Sequence, residues 1–138
     1  MNAASMGASA PGAVIGDLMS QPVLTVEVGE SLWDAWQLLF VSGLRHLVVL
    51  DDDGSSLGVL SDRNILAEVP ATAENLSRRQ VQDVLAMVPL VSVEPTMSPL
   101  VAARLMSDHS VEALPVLDHG GRLVGIITES DIVRWLVR

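Results

Sequence analysis

Laid over itself at a constant offset of 67, the sequence repeats: residues 22–67 align with residues 89–134 without a gap, and 13 of the 46 pairs are identical. The identities run the length of the overlap, from Pro22 with Pro89 and Val26 with Val93, through Ser31 with Ser98, Leu47 with Leu114 and Asp51 with Asp118, to Gly58 with Gly125 and Ile65 with Ile132. Other pairs are conservative, such as Thr25 with Ser92 and Ser61 with Thr128. Self-similarity of this kind means one supersecondary unit used twice. In a chain of 138 residues each copy by itself buries too little apolar area to be stable, so the two must share the work.

The order of elements follows from local signals. In the first copy, a β-branched run at residues 23–26 precedes a turn at Gly29 and Glu30. A helix over residues 31–42 then has Ser31 as N-cap and Gly43 as its stop. Residues 46–50 read as a strand, residues 51–54 as a hairpin turn, residues 57–60 as the next strand and residues 61–69 as a helix halted by Pro70. The second copy follows suit, with a strand at 90–93, a helix from Ser98 with Pro99 at its first position, strands at 114–117 and 122–127, and a final helix from Thr128. The expected fold is therefore α+β, built from two pseudo-symmetric β-α-β-β-α halves packed sheet to sheet. Its expected divisions are a flexible tail at 1–13, a first domain at 14–69, a polar linker at 70–80 and a second domain at 81–138.

Each copy contains a strand that runs straight into a helix: Gly58-Val59-Leu60-Ser61-Asp62-Arg63-Asn64-Ile65 and Gly125-Ile126-Ile127-Thr128-Glu129-Ser130-Asp131-Ile132. A hydroxyl three residues ahead of an amide or a carboxylate marks the helix start. Two readings stand side by side. Such a turn is an ordinary helix cap, or it is an anion site, because unpaired N–H groups and the positive end of the helix dipole gather there. In the second case the adjacent acid could accept hydrogen bonds from sugar hydroxyls.

Composition narrows the function classes. There is no cysteine, which excludes a disulfide framework and thiolate metal sites and fits a reducing compartment, so a cytoplasmic location is the expectation. All eight basic residues are arginines, which removes P-loop lysine and Schiff-base chemistry. A net charge of -9 argues against nucleic-acid binding. Residues 1–13 lack a basic segment and an apolar run, as a secretory signal would need, and Asp34, Gln37 and Arg45 interrupt the most hydrophobic region before it could insert in a membrane. His46, His109 and His119 lack metal-binding spacing, and Asp51 to Asp53 suit a solvated turn rather than a cation loop.

The helix over residues 31–42 is apolar around most of its circumference. Leu32, Ala35, Trp36 and Leu39 form one stripe, while Trp33, Leu38, Phe40 and Val41 widen it. It is either a fully buried core helix or a partner surface, and the second reading predicts a homodimer using Trp33, Trp36 or Phe40. Trp135 could join that surface or cover the core.

Together, the lead-in Asp17-Leu18-Met19-Ser20, the run from Gly43 to Gly54, the run from Val111 to Asp118 and the doubled Gly-x-x-Ser/Thr-x-x-Asn/Asp step resemble a tandem pair of CBS (cystathionine beta-synthase) domains, or Bateman module. The resemblance spans residues 14–137 and is that of a stand-alone CBS-pair protein. It implies binding of adenine nucleotides or related adenosyl ligands (AMP-, ADP- or ATP-like) in two clefts between the halves, with no catalytic cofactor. Carried over by position, one cleft would use Pro22, Val23, Leu44, Arg45, Ile126, Thr128 and Asp131. The other would use Val59, Ser61, Arg63, Asn64, Pro89, Leu90 and Val111. Asp131 offers a charged acceptor and Asn64 a neutral one, so the first cleft is expected to bind tighter. Arg63 is either an exposed first-turn residue or a phosphate partner for the second. Glu112, standing where the family often has a basic residue, disfavours an anion there. The function implied is a non-enzymatic sensor that signals to a regulated protein by a conformational or dimer change. The alternative is a ligand-free dimerisation or interaction module acting through the Trp33/Trp36 helix face. No nucleophile–base pair can be assembled from the motifs present.

Overall fold

A computed structural model of the chain describes residues 12–85 and 90–138. In chain order the elements are α1 (Ile15–Leu18), β1 (Thr25–Glu27), α2 (Leu32–Ser42), β2 (His46–Leu50), β3 (Ser56–Ser61), α3 (Asp62–Glu68), α4 (Ala73–Ser77), α5 (Val81–Leu85), α6 (Pro99–His109), β4 (Ala113–Leu117), β5 (Leu123–Thr128) and α7 (Glu129–Leu136). The fold is α+β with two small sheets. Two compact units result: Val23–Leu90, here the first-repeat unit, and residues up to Pro22 joined with Val91–Arg138, the second-repeat unit.

In the first-repeat unit the sheet order is β1-β2-β3, with β1 parallel to β2 and β2 antiparallel to β3. Helix α2 starts and stops where its local chemistry dictates. The Ser31 side chain accepts the Asp34 N–H at 3.0 Å, and Gly43 ends the helix in the left-handed region at φ 72°, which a side chain would disfavour. Leu32, Ala35 and Leu39 point from α2 into a core with Val26, Leu47, Val49, Leu60 and Ile65. In the β2–β3 hairpin turn, the Ser55 N–H donates to Asp53 at 2.9 Å. With the Ser55 hydroxyl, this bond holds the Asp53 carboxyl below its ordinary value.

Among the described residues, the second-repeat unit has the β4-β5 hairpin as its one sheet. The strand expected at 90–93 reduces to a single parallel bridge between Val93 and Val116. Two prolines account for this. In the first copy Val48 N–H donates to Leu24 and Val28 N–H to Leu50. The equivalent donors of the second copy would be Pro115 and Pro95, which have no N–H to give. Ile15, Leu18, Val93, Ala102, Met106, Leu114, Val116, Ile127, Ile132 and Trp135 make its core. Trp135 is 5% exposed and so covers the core.

The lead-in segments are exchanged between repeats. Helix α1 precedes the first repeat in sequence yet folds onto the second, with Ile15 N–H donating to Met97 at 2.8 Å and Gly16 N–H to Pro95 at 2.9 Å. Helix α5 precedes the second repeat yet folds onto the first, through the matching bonds Val81 to Glu30 at 2.9 Å and Gln82 to Val28 at 3.1 Å. Residues 70–80, expected as a plain linker, hold α4, capped by Thr72 and anchored by the fully buried Leu76. Among the described residues no helix is long and apolar enough to cross a membrane.

Candidate functional site

The two strand-to-helix turns are built alike. At the end of β5, Thr128 N–H donates to Asp131 Oδ2 at 2.8 Å, the Thr128 hydroxyl donates to the same oxygen at 3.1 Å, and Asp131 N–H returns a bond to the hydroxyl at 3.3 Å. At the end of β3, Ser61 N–H and Ser61 hydroxyl donate to Asn64 Oδ1, both at 2.8 Å, and Asn64 N–H donates to Ser61 Oγ at 3.1 Å. Both are closed capping boxes, which satisfy N–H groups that a helix start otherwise leaves unpaired. A second shared bond fixes the strand beside each turn: Asp62 N–H donates to Arg45 carbonyl at 3.3 Å, and Glu129 N–H to Glu112 carbonyl at 2.9 Å.

The turns differ in charge and burial. Asp131 is 3% exposed, and its Oδ1 pairs with the exposed guanidinium of Arg134 one helical turn on. The position equivalent to Arg134 in the first copy is Ala67. Around the β3–α3 turn, Arg45 Nε lies 3.7 Å from Asp62 Oδ1, and Arg63 is exposed. Around the β5–α7 turn, the residues at those positions are Glu112 and Ser130, with Glu129 opposite Asp62. The first-repeat turn is thus richer in cations and the second-repeat turn in carboxylates.

The expected site residues are distributed as follows. Pro22, Ile126, Thr128 and Asp131 belong to the second-repeat unit, whereas Val23, Leu44 and Arg45 belong to the first. Val59, Ser61, Arg63, Asn64 and Leu90 lie in the first-repeat unit and Val111 in the second; Pro89 falls outside the described residues. Within its own unit, each turn is flanked by the start of the neighbouring strand. His46 pairs with Ser61, so Leu44 and Arg45 run beside the Ser61 turn, and Ala113 pairs with Thr128, so Val111 and Glu112 run beside the Thr128 turn. Ile126 and Val59 are each 8% exposed, while Leu90 is 73% exposed. The lead-in also reaches β5: Ser20 and Ile126 exchange main-chain bonds of 2.8 and 3.2 Å, and Gln21 Nε2 donates to the Val124 carbonyl at 2.7 Å.

On α2 the two tryptophans are half-buried and pack against the first-repeat core. They are therefore neither fully buried, as a core helix would have them, nor fully open. Phe40 and Val41, 81% and 83% exposed, carry the apolar surface instead. Trp36, Leu39, Phe40, Leu44 and Asp62 line a recess of about 120 Å³. Helix α6 adds exposed Leu100 and Val101, which share a helical turn with the core-facing Ala102 but lie off its stripe. The sequence reading passed over Arg134, since only its spacing of three from Asp131 could have signalled the pair. Among the described residues, no group of three or more His, Asp or Glu is placed to hold a metal ion.

Comparison with known proteins agrees with this architecture. The CBS domain model matches the chain twice, over residues 15–71 and 81–138. A CBS domain-containing protein of Dictyostelium discoideum is 33% identical over 135 residues, covering 91% of this chain and 92% of that protein. A homoserine O-acetyltransferase of Methanococcoides burtonii is 34% identical over 122 residues, covering 88% of this chain. The match takes in 24% of that enzyme, so the chain spans about a quarter of its relative's length. The crystal structure of CBSX2 in complex with AMP has a TM-score of 0.74 at 30% identity, covering 91% of this chain and 97% of that one. With its doubled α-β-β-α order, its paired capping turns and a family match over both repeats, the chain belongs to the CBS domain family and carries two such domains.

Proposed function

We propose that this CBS-domain pair is a regulatory module that binds an adenine nucleotide or related adenosyl ligand and signals by a change of conformation or assembly, without performing chemistry. The observation that carries the reading is the β5–α7 turn, where a buried carboxylate and a hydroxyl sit at the mouth of a helix. Asp131 is assigned to the ribose hydroxyls and Thr128 to phosphate, with Ile126 and Pro22 beside them. Ser61, Asn64 and Arg63 form the weaker site, because a neutral amide bonds a diol less strongly than a carboxylate does. CBSX2, at 30% identity, was crystallised with AMP, which supports the same ligand class here.

Thermal unfolding with AMP, ADP, ATP, S-adenosylmethionine and NAD tests the reading. A ligand at 100 times its Kd adds about 2.7 kcal/mol of stability and raises Tm accordingly. At least one of these ligands should do so, and its effect should weaken in Asp131→Ala. No shift with any of them at saturation would overturn the reading.

A second reading has its own observation. Phe40 and Val41 stand open to solvent on α2, which favours a homodimer or a docked regulated protein, and assembly through this face is compatible with ligand sensing.

A further inference from the structure

The Asp131 carboxylate is almost fully committed before any ligand arrives. Its Oδ2 accepts both the N–H and the hydroxyl of Thr128, which uses both lone pairs of that oxygen. Its Oδ1 accepts from Arg134. One lone pair on Oδ1 is left for any further donor. A ribose offers two vicinal hydroxyls, and both can donate to Asp131 only if Oδ1 has two places open.

The two partners of this ion pair are held very differently. The Asp131 side chain is 2% exposed and fixed by its cap, while the Arg134 side chain is 67% exposed. The exposed guanidinium can be rehydrated on release, but the bond it gives up is a charge-assisted one to a buried carboxylate, so displacing it offsets much of what a second hydroxyl would gain. The first repeat has Ala67 at the same position.

We infer that Arg134 is a latch on Oδ1 of Asp131, the oxygen its cap leaves uncommitted, which a ribose diol must displace, and that it therefore sets how strongly the site discriminates a ribose from a deoxyribose. This inference rests on the nucleotide reading given above. With Arg134 in place, a ligand with two hydroxyls gains little over one with a single hydroxyl. With Arg134 removed, both hydroxyls can reach Oδ1, and the gain of one hydrogen bond to a charged acceptor should appear as selectivity.

The test is calorimetric titration of the wild type, Arg134→Ala and Arg134→Lys with AMP and with 2′-deoxy-AMP. The expected result is an AMP to 2′-deoxy-AMP affinity ratio that rises at least threefold in Arg134→Ala, with Arg134→Lys between it and the wild type. Arg134→Gln serves in place of Arg134→Ala should the latter not fold, because it keeps the stem and removes the charge. A ratio that stays constant while the wild type binds would overturn the latch and leave the nucleotide reading standing. Equal weakening of both ligands would also overturn it, since Arg134 would then be supporting the carboxylate rather than competing for it. No binding by the wild type or the variants would overturn the nucleotide reading and the latch together.

Discussion

Thr128 and Asp131 close on each other through three hydrogen bonds, the shortest being Thr128 N–H to Oδ2 at 2.8 Å. Ser61 N–H makes the corresponding bond to the Asn64 amide oxygen at the same length. The box therefore needs an acceptor oxygen and does not need a charge. Asp131→Asn should keep the cap and cost no more than about 1 kcal/mol, whereas Asp131→Ala should cost about 0.5–2 kcal/mol as the reciprocal bonds are lost. Affinity for an adenine nucleotide should fall about tenfold in Asp131→Asn, the difference between a charged and a neutral acceptor. Denaturant unfolding and calorimetry on the same preparations separate the two effects.

Gly125 lies under the lead-in. A Cβ placed on it would sit 2.6 Å from Met19 Sδ and 3.2 Å from the Ser20 carbonyl oxygen. Gly125→Ala is expected to destabilise the second-repeat unit by about 1–3 kcal/mol. The double variant with Met19→Ala should cost less than the sum of the two single changes, because truncating Met19 removes the atoms that the new Cβ would strike. Urea midpoints of the four proteins check this, and strict additivity would contradict the contact.

Ser110 ends α6 in the left-handed region at φ 54°, in the place that Gly43 takes at φ 72° after α2. A non-glycine residue there is strained by its Cβ. Ser110→Gly should raise stability by about 0.5–1 kcal/mol and Gly43→Ser should lower it by a similar amount, read from thermal unfolding.

Phe40 and Val41 are exposed on α2, and the second copy holds Ser107 and Asp108 at those positions. The double change Phe40→Ser, Val41→Asp puts the second repeat's own residues on this face. Folding stability should move by less than about 0.5 kcal/mol, as is usual for exposed positions. Sedimentation should shift from dimer toward monomer, and an unchanged distribution would exclude this face as the self-association surface.

Local rules made much of the architecture legible. Ser31, Ser61, Ser98 and Thr128 announced four helix starts, Gly43 one helix stop, and the turns before Gly54 and Gly121 two hairpins, because caps and tight turns depend on residues a few positions apart. The repeat told how many times to expect each. Pro95 and Pro115 were equally readable as missing donors, but their consequence required knowing which strand they would face.

By itself the sequence determined the repeated α-β-β-α order, the starts of its four helices and the identity of the capping turns, all of which rest on bonds between near neighbours. Only the tertiary structure decided that each lead-in folds onto the other repeat, that Leu76 anchors the stretch between the repeats, that both α2 tryptophans are half-buried, and that Arg134 engages Asp131. Burial and side-chain direction depend on what distant segments bring to the same place, and residue spacing alone does not carry that information.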